Sequence, residues 1–282
     1  MRKLQFFLSL FVISGYLTQL KPAYGWDPPY AQTALLLGVS ASVPFIPQSR
    51  DGTKWTNPLD NRLQKSFQAD HPDAQQQAQT LSDITLGLNL ALPFTQWLLS
   101  SQRKTDGHLS ADESNWLLYS SVNAFAVNWI LSETMKKLTG RMRPSASVCD
   151  LNSSFQCDSP ALSNDDFKSF PSGHTSFAFT GAAVSCLQQA QLKKDSLAIS
   201  SPWLCPLAMI SAGTTAFLRV RGNAHWFTDI TAGAVIGLVS GLVVGPALTG
   251  TFSSGGAGQA AHFERSRDLR ATPPIFTTLF FF

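Results

Sequence analysis

With 282 residues the chain is long enough for one large domain or two modest ones. Hydrophobic residues make up 44% and charged residues 14%, a balance that excludes intrinsic disorder, and a formal net charge of +3 is too weak a field for a nucleic-acid binder. A mean hydropathy of +0.02 leaves two classes open, a membrane protein or a charge-poor globular one.

Arg2 and Lys3 precede an apolar stretch from Leu4 to Leu20, and Pro22-Ala23-Tyr24-Gly25 follows with small residues where a signal peptidase reads. Residues 1–25 therefore read as a secretory signal peptide, with an uncleaved anchor helix as the alternative. Arg2, Lys3 and Lys21 are the only charges in this stretch, so without it Lys+Arg falls from 21 to 18, equal to the 18 Asp+Glu. Residues 26–80 form an N-terminal polar segment, with a short apolar run from Ala34 to Ile46. The Gln-rich stretch from Gln48 to Gln79 reads as loop with one surface helix.

From there the pattern is helical. Apolar segments without β-alternation run over Leu81–Leu99, Trp116–Leu131, Thr175–Leu187, Pro202–Leu218 and Ile230–Leu248, each too long for an ordinary strand. They define an all-α domain over residues 81–250, and residues 251–282 read as a flexible tail. Only Ile230–Leu248 clearly reaches the ~20 apolar residues that a bilayer crossing needs. A topology with the amino terminus inside and five later helices crossing nevertheless puts Arg103, Lys104, Lys193 and Lys194 on the inner side. It gathers the loops at 136–171 and 219–229 on the outer, periplasmic face. Membrane association is the expectation, with a soluble periplasmic protein as the alternative.

Export would make disulfides available. Cys149 and Cys157 lie close together in a polar loop; Cys186 and Cys205 lie near the adjoining ends of two successive helices. Each couple is a candidate pair, with buried thiols as the alternative for the second. No Cys/His spacing suggests zinc.

Three short stretches gather cations, histidines and turn residues. In Lys136-Lys137-Leu138-Thr139-Gly140-Arg141-Met142-Arg143-Pro144, Lys136 and Arg143 stand seven apart, which on a continued helix would set them on one side. In Phe170-Pro171-Ser172-Gly173-His174, a turn leads into a helix whose N-terminus suits an anion. Ser172 can donate a hydroxyl there, and His174 can exchange a proton near neutral pH. In Arg219-Val220-Arg221-Gly222-Asn223-Ala224-His225-Trp226-Phe227-Thr228-Asp229, His225 and Asp229 are i and i+4, so the carboxylate can reach one ring nitrogen and leave the other as a nucleophile. A buried Arg219 would need an anionic partner, and a phosphate would supply one.

Together these stretches resemble the three-part signature of the type 2 phosphatidic acid phosphatase and vanadium haloperoxidase superfamily: K-x-x-x-x-x-x-R-P, P-S-G-H and S-R-x-x-x-x-x-H-x-x-x-D. Order and spacing match; Leu218 replaces the serine before the last arginine. The resemblance covers roughly residues 80–250 and implies that superfamily's helical bundle of five to six core helices. It further implies a phosphoric ester hydrolase with His225 as nucleophile, Asp229 as its holder, and His174 as general acid and then base. Lys136, Arg143, Ser172, Gly173 and Arg219 would cradle the phosphoryl oxygens. In the phosphatase branch no metal or cofactor is implied. The expected substrate is a lipid phosphate or diphosphate, with a small phosphoester as the alternative; no protein partner is evident. A vanadate-dependent haloperoxidase and a non-catalytic lipid-binding envelope protein are the readings from other classes.

Overall fold

The computed structural model describes residues 28–50, 57–102, 111–151, 163–194 and 201–244. The expected signal peptide, the tail and the Cys149–Cys157 pairing lie outside the described residues. The described residues are helical, with no strand among them. In chain order the helices are α1 (Pro28–Ser42), α2 (Pro58–Phe67), α3 (Pro72–Gln102), α4 (Ala111–Thr139), α5 (Pro144–Leu151), α6 (Gly173–Lys194), α7 (Leu204–Arg221) and α8 (Phe227–Val239). A π-turn, Ser240–Val244, continues α8, and 3-10 turns occupy Val43–Phe45 and Asn164–Phe167.

Four of these helices begin on proline, whose fixed φ suits the first helical position and whose missing N–H costs nothing there. At α2 the preceding Asn57 adds a cap, its side chain accepting from the Leu59 N–H at 3.0 Å. The stretch read as loop with one surface helix in fact holds α2 and the first two turns of α3, which starts at Pro72 rather than Leu81. Its glutamines hide the helix because they serve as ties to the rest of the protein. Gln64 donates to the Val220 carbonyl at 3.1 Å and to Asn223 at 2.9 Å, and Gln79 donates to the Gly222 carbonyl at 2.7 Å.

Helix α6 packs against α3, α4, α7 and α8. Alanines make the closest of these contacts: Ala178 and Ala182 of α6 meet Ala208 and Ala212 of α7. On the other side Gly233 brings α8 against the start of α6, where a Cβ would stand 2.6 Å from the Ser172 carbonyl oxygen. Only the absence of a side chain permits that approach. Cys186 of α6 and Cys205 of α7 are joined in a disulfide, with Cα atoms 4.8 Å apart.

Polarity is distributed unusually. Ser82, Asn89, Gln96 and Ser100 of α3, Asn123, Asn128 and Ser132 of α4, and Ser176, Thr180 and Gln188 of α6 are buried. Many pair between helices: Asn89 with Ser211 at 2.9 Å, Ser132 with Ser176 at 2.9 Å, Gln188 with Ser121 at 2.8 Å. Meanwhile Leu81, Ile84 and Leu88 of α3, Leu207 and Ile210 of α7, and Val235 of α8 are each more than half exposed. Inward-facing polar residues dilute every helix, and among the described residues no helix is long and apolar enough to cross a membrane. The five-crossing topology that the sequence allows finds no such helix among the described residues.

Candidate active site

The site forms where four segments meet: the end of α4, the turn into α6, the end of α7 and the start of α8. Helix α4 ends at Thr139, and Gly140 takes a left-handed φ of +57°, a conformation open to glycine. The helix thus does not run on to Arg143 as the seven-residue spacing suggested; the chain turns, and Arg141 and Arg143 leave it separately. A second left-handed residue, Asn223 (φ 56°), reverses the chain after α7 and is held by Gln64. Asparagine tolerates that conformation better than most residues. The reversal delivers His225 to the interior just before α8.

His225 is almost wholly buried (2% exposed). Its Nδ1 lies 2.8 Å from the Ser169 carbonyl, whereas the nearest Asp229 oxygen is 3.7 Å away. The expected direct carboxylate–histidine bond is therefore replaced by a backbone acceptor, because His225 precedes the helix instead of sitting on its first turn. A carbonyl accepts only from N–H, so Nδ1 carries the proton and Nε2 keeps its lone pair. Burial, and then the positive charges of Arg143, Arg219, Lys136 and His174, push the pKa of His225 well below the ordinary histidine value. Its neutral form, which is the nucleophilic one, is favoured.

Asp229 acts one step away. Its Oδ2 accepts from Ser169 Oγ and from the Trp226 N–H at 2.9 Å, and its Oδ1 accepts from Arg141 Nη1 at 2.6 Å. It thereby fixes both residues that position the His225 ring. Burial raises its pKa to about 6, against the opposing pull of Arg141, Ser169 and Trp226. At neutral pH the carboxylate is mainly ionised.

Arg141 was not among the residues expected at the site. It is buried and bridges Asp229 to Asp60 of α2, its Nη2 donating to Asp60 Oδ2 at 2.6 Å. Asp60 also accepts from the Thr228 N–H at 2.9 Å and from the Thr228 hydroxyl at 2.7 Å. The chain Asp60–Arg141–Asp229–Ser169–His225 ties the N-terminal segment to the nucleophile. A carboxylate in a polar stretch gave no hint of this role. Arg141 did give one, as a second arginine beside Arg143 in a charge-poor chain.

The other expected residues converge on His225 from three sides. The Lys136 ammonium, paired with Glu133, lies beside Gly173, where a Cβ would come within 2.6 Å of it. Arg143 pairs with Asp165 at 3.0 Å and donates to the Ala224 carbonyl at 3.3 Å. Ser172 is buried as the cap of α6, its Oγ accepting from the Thr175 hydroxyl at 3.0 Å and its N–H donating to the Asp229 carbonyl at 3.0 Å. Its own hydroxyl proton remains to be donated. Arg219 is 6% exposed, and its Nε has no hydrogen-bond partner. Burial, with the neighbouring Arg143, lowers its pKa to about 10. His174 is only part-exposed, and its pKa falls to about 4 through burial first and then Arg219. Three cations, one of them with an orphaned N–H, and a hydroxyl stand around two imidazoles that are neutral in the free site, an arrangement that can hold an oxyanion.

Comparison with known proteins bears on this arrangement. The family model of the PAP2 superfamily matches residues 116–249. A PA-phosphatase related-family protein of Dictyostelium discoideum is 27% identical over 165 residues, covering 57% of this chain and 56% of that protein. The lipid A 1-phosphatase of Porphyromonas gingivalis is 33% identical over 73 residues, 26% of this chain and 15% of its own length. The chain thus spans about half or less of these curated relatives. Among solved structures, a transmembrane PAP2 type phosphatidylglycerolphosphate phosphatase from Bacillus subtilis is similar with a TM-score of 0.45 and 19% identity, covering 86% of this chain and 98% of that one.

Proposed function

We propose, from the premise that this chain belongs to the PAP2 superfamily through residues 116–249, that it is an exported lipid-phosphate phosphatase working through a phosphohistidine on His225. The observation that carries the reading is the buried, neutral His225. Its Nδ1 is tied to the Ser169 carbonyl, and Lys136, Arg143 and Arg219 act on it from around the ring. Nε2 attacks phosphorus, and the P–O bond to the alcohol breaks as His174 protonates the leaving oxygen. The bound phosphoryl group offsets the charges of Arg219 and Lys136 that keep His174 neutral in the free site, so it enters the step as the imidazolium. In the second step His174, now neutral, takes a proton from water as the water oxygen bonds to phosphorus, the P–N pair returns to His225 and phosphate leaves. Arg219 Nε, Arg143, Lys136 and the Ser172 hydroxyl stabilise the charge on the phosphoryl oxygens.

Substrate and place rest on other observations. The large apolar residues exposed on α3, α7 and α8 support association with a lipid surface. The name of the Porphyromonas relative supports a lipid-borne phosphate over a small ester. The Cys186–Cys205 disulfide supports an oxidising compartment and hence export through residues 1–25. Because it flanks the connector with Lys193 and Lys194, it weighs against the crossing topology that puts that connector inside and favours a protein lying wholly on the periplasmic side.

The test is to separate cell envelopes into membrane and osmotic-shock fractions and assay each with lipid phosphates and a chromogenic monoester. Quenching a labelled turnover should trap an acid-labile, alkali-stable phosphoprotein in the wild type and none in His225→Ala. An active His225→Ala protein would refute the mechanism. Release by osmotic shock alone, with preference for the small ester, would refute the lipid reading.

A further inference from the structure

Helix α3 carries one ionisable residue between 74 and 102, Asp83. It stands beside the exposed Leu81 and Ile84 and is itself 60% exposed. Its partners lie across on α6 and α7: Asp83 Oδ1 is 2.9 Å from His174 Nε2 and 3.5 Å from Arg219 Nη1. Residue 83 also falls outside residues 116–249, where the family match lies.

We propose that Asp83 is the positioning residue for the acid–base histidine, its carboxylate holding His174 through Nε2 so that Nδ1 is the nitrogen that exchanges the proton with the leaving oxygen and then with water. This rests on the phosphatase reading above. The logic mirrors that at His225, where an acceptor on Nδ1 leaves Nε2 for phosphorus; here an acceptor on Nε2 leaves Nδ1 for oxygen. In the first step the electron pair of the breaking P–O bond goes to the alcohol oxygen, which takes the proton from Nδ1. In the second, Nδ1 takes a proton from water as oxygen attacks phosphorus, and the P–N pair returns to His225.

A carboxylate is needed because the rest of the surroundings oppose a charged His174. The charges of Lys136 from α4 and Arg219 from α7 act on it, and His225 lies close; Arg143 acts on Arg219 and His225, and Asp229 is committed to Arg141. Among the described residues, Asp83 is the charged group acting on His174 that favours the imidazolium. The longer contact to Arg219 is the one that an arriving phosphoryl oxygen replaces, while the shorter bond to His174 persists.

The experiment compares Asp83→Asn with wild type on two soluble monoesters, an alkyl phosphate and 4-nitrophenyl phosphate, by kcat/KM across pH. The alkoxide cannot leave unprotonated, whereas nitrophenolate can. The expected result is a loss on the order of 10- to 100-fold for the alkyl ester and a change of about 2-fold or less for the nitrophenyl ester. The basic limb of the alkyl-ester profile should move to lower pH, because removing the carboxylate makes the imidazolium less stable. Asp83 is 60% exposed, so the variant should melt with the wild type. Asp83→Ala should repeat the split. Equal losses on both esters, an unchanged profile, or a gain on both with lower KM would overturn the proposal; the last would mean the carboxylate merely competes with phosphate. A wild type inactive on these esters and on lipid phosphates would instead overturn the phosphatase reading itself.

Discussion

Asp60→Ala removes the far anchor of the buried chain that leads to His225, and its cost can be worked from the contacts. Three donors lose their acceptor: Arg141 Nη2, the Thr228 N–H and the Thr228 hydroxyl. Breaking a buried ion pair by deleting one partner costs about 3–5 kcal/mol. Arg141 keeps Asp229 at 2.6 Å, so its charge is not left bare, which favours the lower end of that range. The Thr228 hydroxyl can turn toward another acceptor, but its N–H cannot, and an orphaned buried donor costs about 1–3 kcal/mol. Water entering the vacated space relieves both losses together, so they do not add in full, and about 3–4 kcal/mol is expected. Against a typical total of about 5–15 kcal/mol that is a large fraction. Urea unfolding in mild detergent measures it, alongside Arg141→Met and the double variant. The double variant should be more stable than the two losses summed, with a coupling of about 1–3 kcal/mol. A loss under about 1 kcal/mol for Asp60→Ala, or simple additivity, would refute the network.

Three further outcomes follow from the geometry. The helical glycines give a matched pair: a Cβ on Gly237 would stand 2.7 Å from Phe179 Cβ, whereas one on Gly213 meets nothing within 4 Å. Gly213→Ala should stabilise by up to about 1 kcal/mol, and Gly237→Ala should destabilise by about 1–3 kcal/mol and lower kcat, read by melting and turnover. The acid limb of kcat/KM should fall near pH 6, where Asp229 takes a proton and loosens Arg141, Ser169 and Trp226; a limb unchanged down to pH 4 would refute that role. Stability carries opposed contributions. The lowered pKa of His225 makes the unfolded chain the better proton acceptor, so acidification through about 6.5 destabilises. The raised pKa of Asp229 works the other way between about 6 and 3.8. His174, lowered to about 4, acts in the same sense as His225, so a melting curve in His225→Ala should keep only part of the wild-type decline from pH 7 to 6.

The residues proposed to bind phosphate stood out because they are sparse charges at fixed spacings in a charge-poor chain. Helix positions were legible for a related reason, since long apolar runs without alternation admit little else. What escaped was set by contacts distant in sequence. Asp60 and Gln64 sit in a polar stretch that looks solvated, and only the fold shows that α2 packs against α7 and α8. The i and i+4 spacing of His225 and Asp229 suggested a direct bond, but α8 begins at Phe227, so the spacing spans a helix boundary and the ring turns to Ser169. Hydropathy misled through averaging. A window scores Asn89 and Leu88 together, although one is buried and the other more than half exposed.

The same scarcity of charge explains how the free site remains stable with so many cations close together. Each cation proposed to bind phosphate rests on a carboxylate: Lys136 on Glu133, Arg143 on Asp165, Arg219 on Asp83. Asp165 and Asp83 are well exposed, at 66% and 60%. Pairs of that kind contribute little net energy, so a phosphoryl group can replace them at small cost. Glu133 is largely buried (17% exposed) and stays with its lysine, fixing the ammonium beside Gly173. The arrangement divides the field into a fixed part, which holds geometry, and an exchangeable part, which yields to substrate. On this view, Asp165→Asn should tighten phosphate binding more than Glu133→Gln. Removing the exposed carboxylate frees Arg143 without moving it, whereas removing the buried one leaves Lys136 free to drift from its place. Titration with inorganic phosphate measures both, and the reverse order would refute the division.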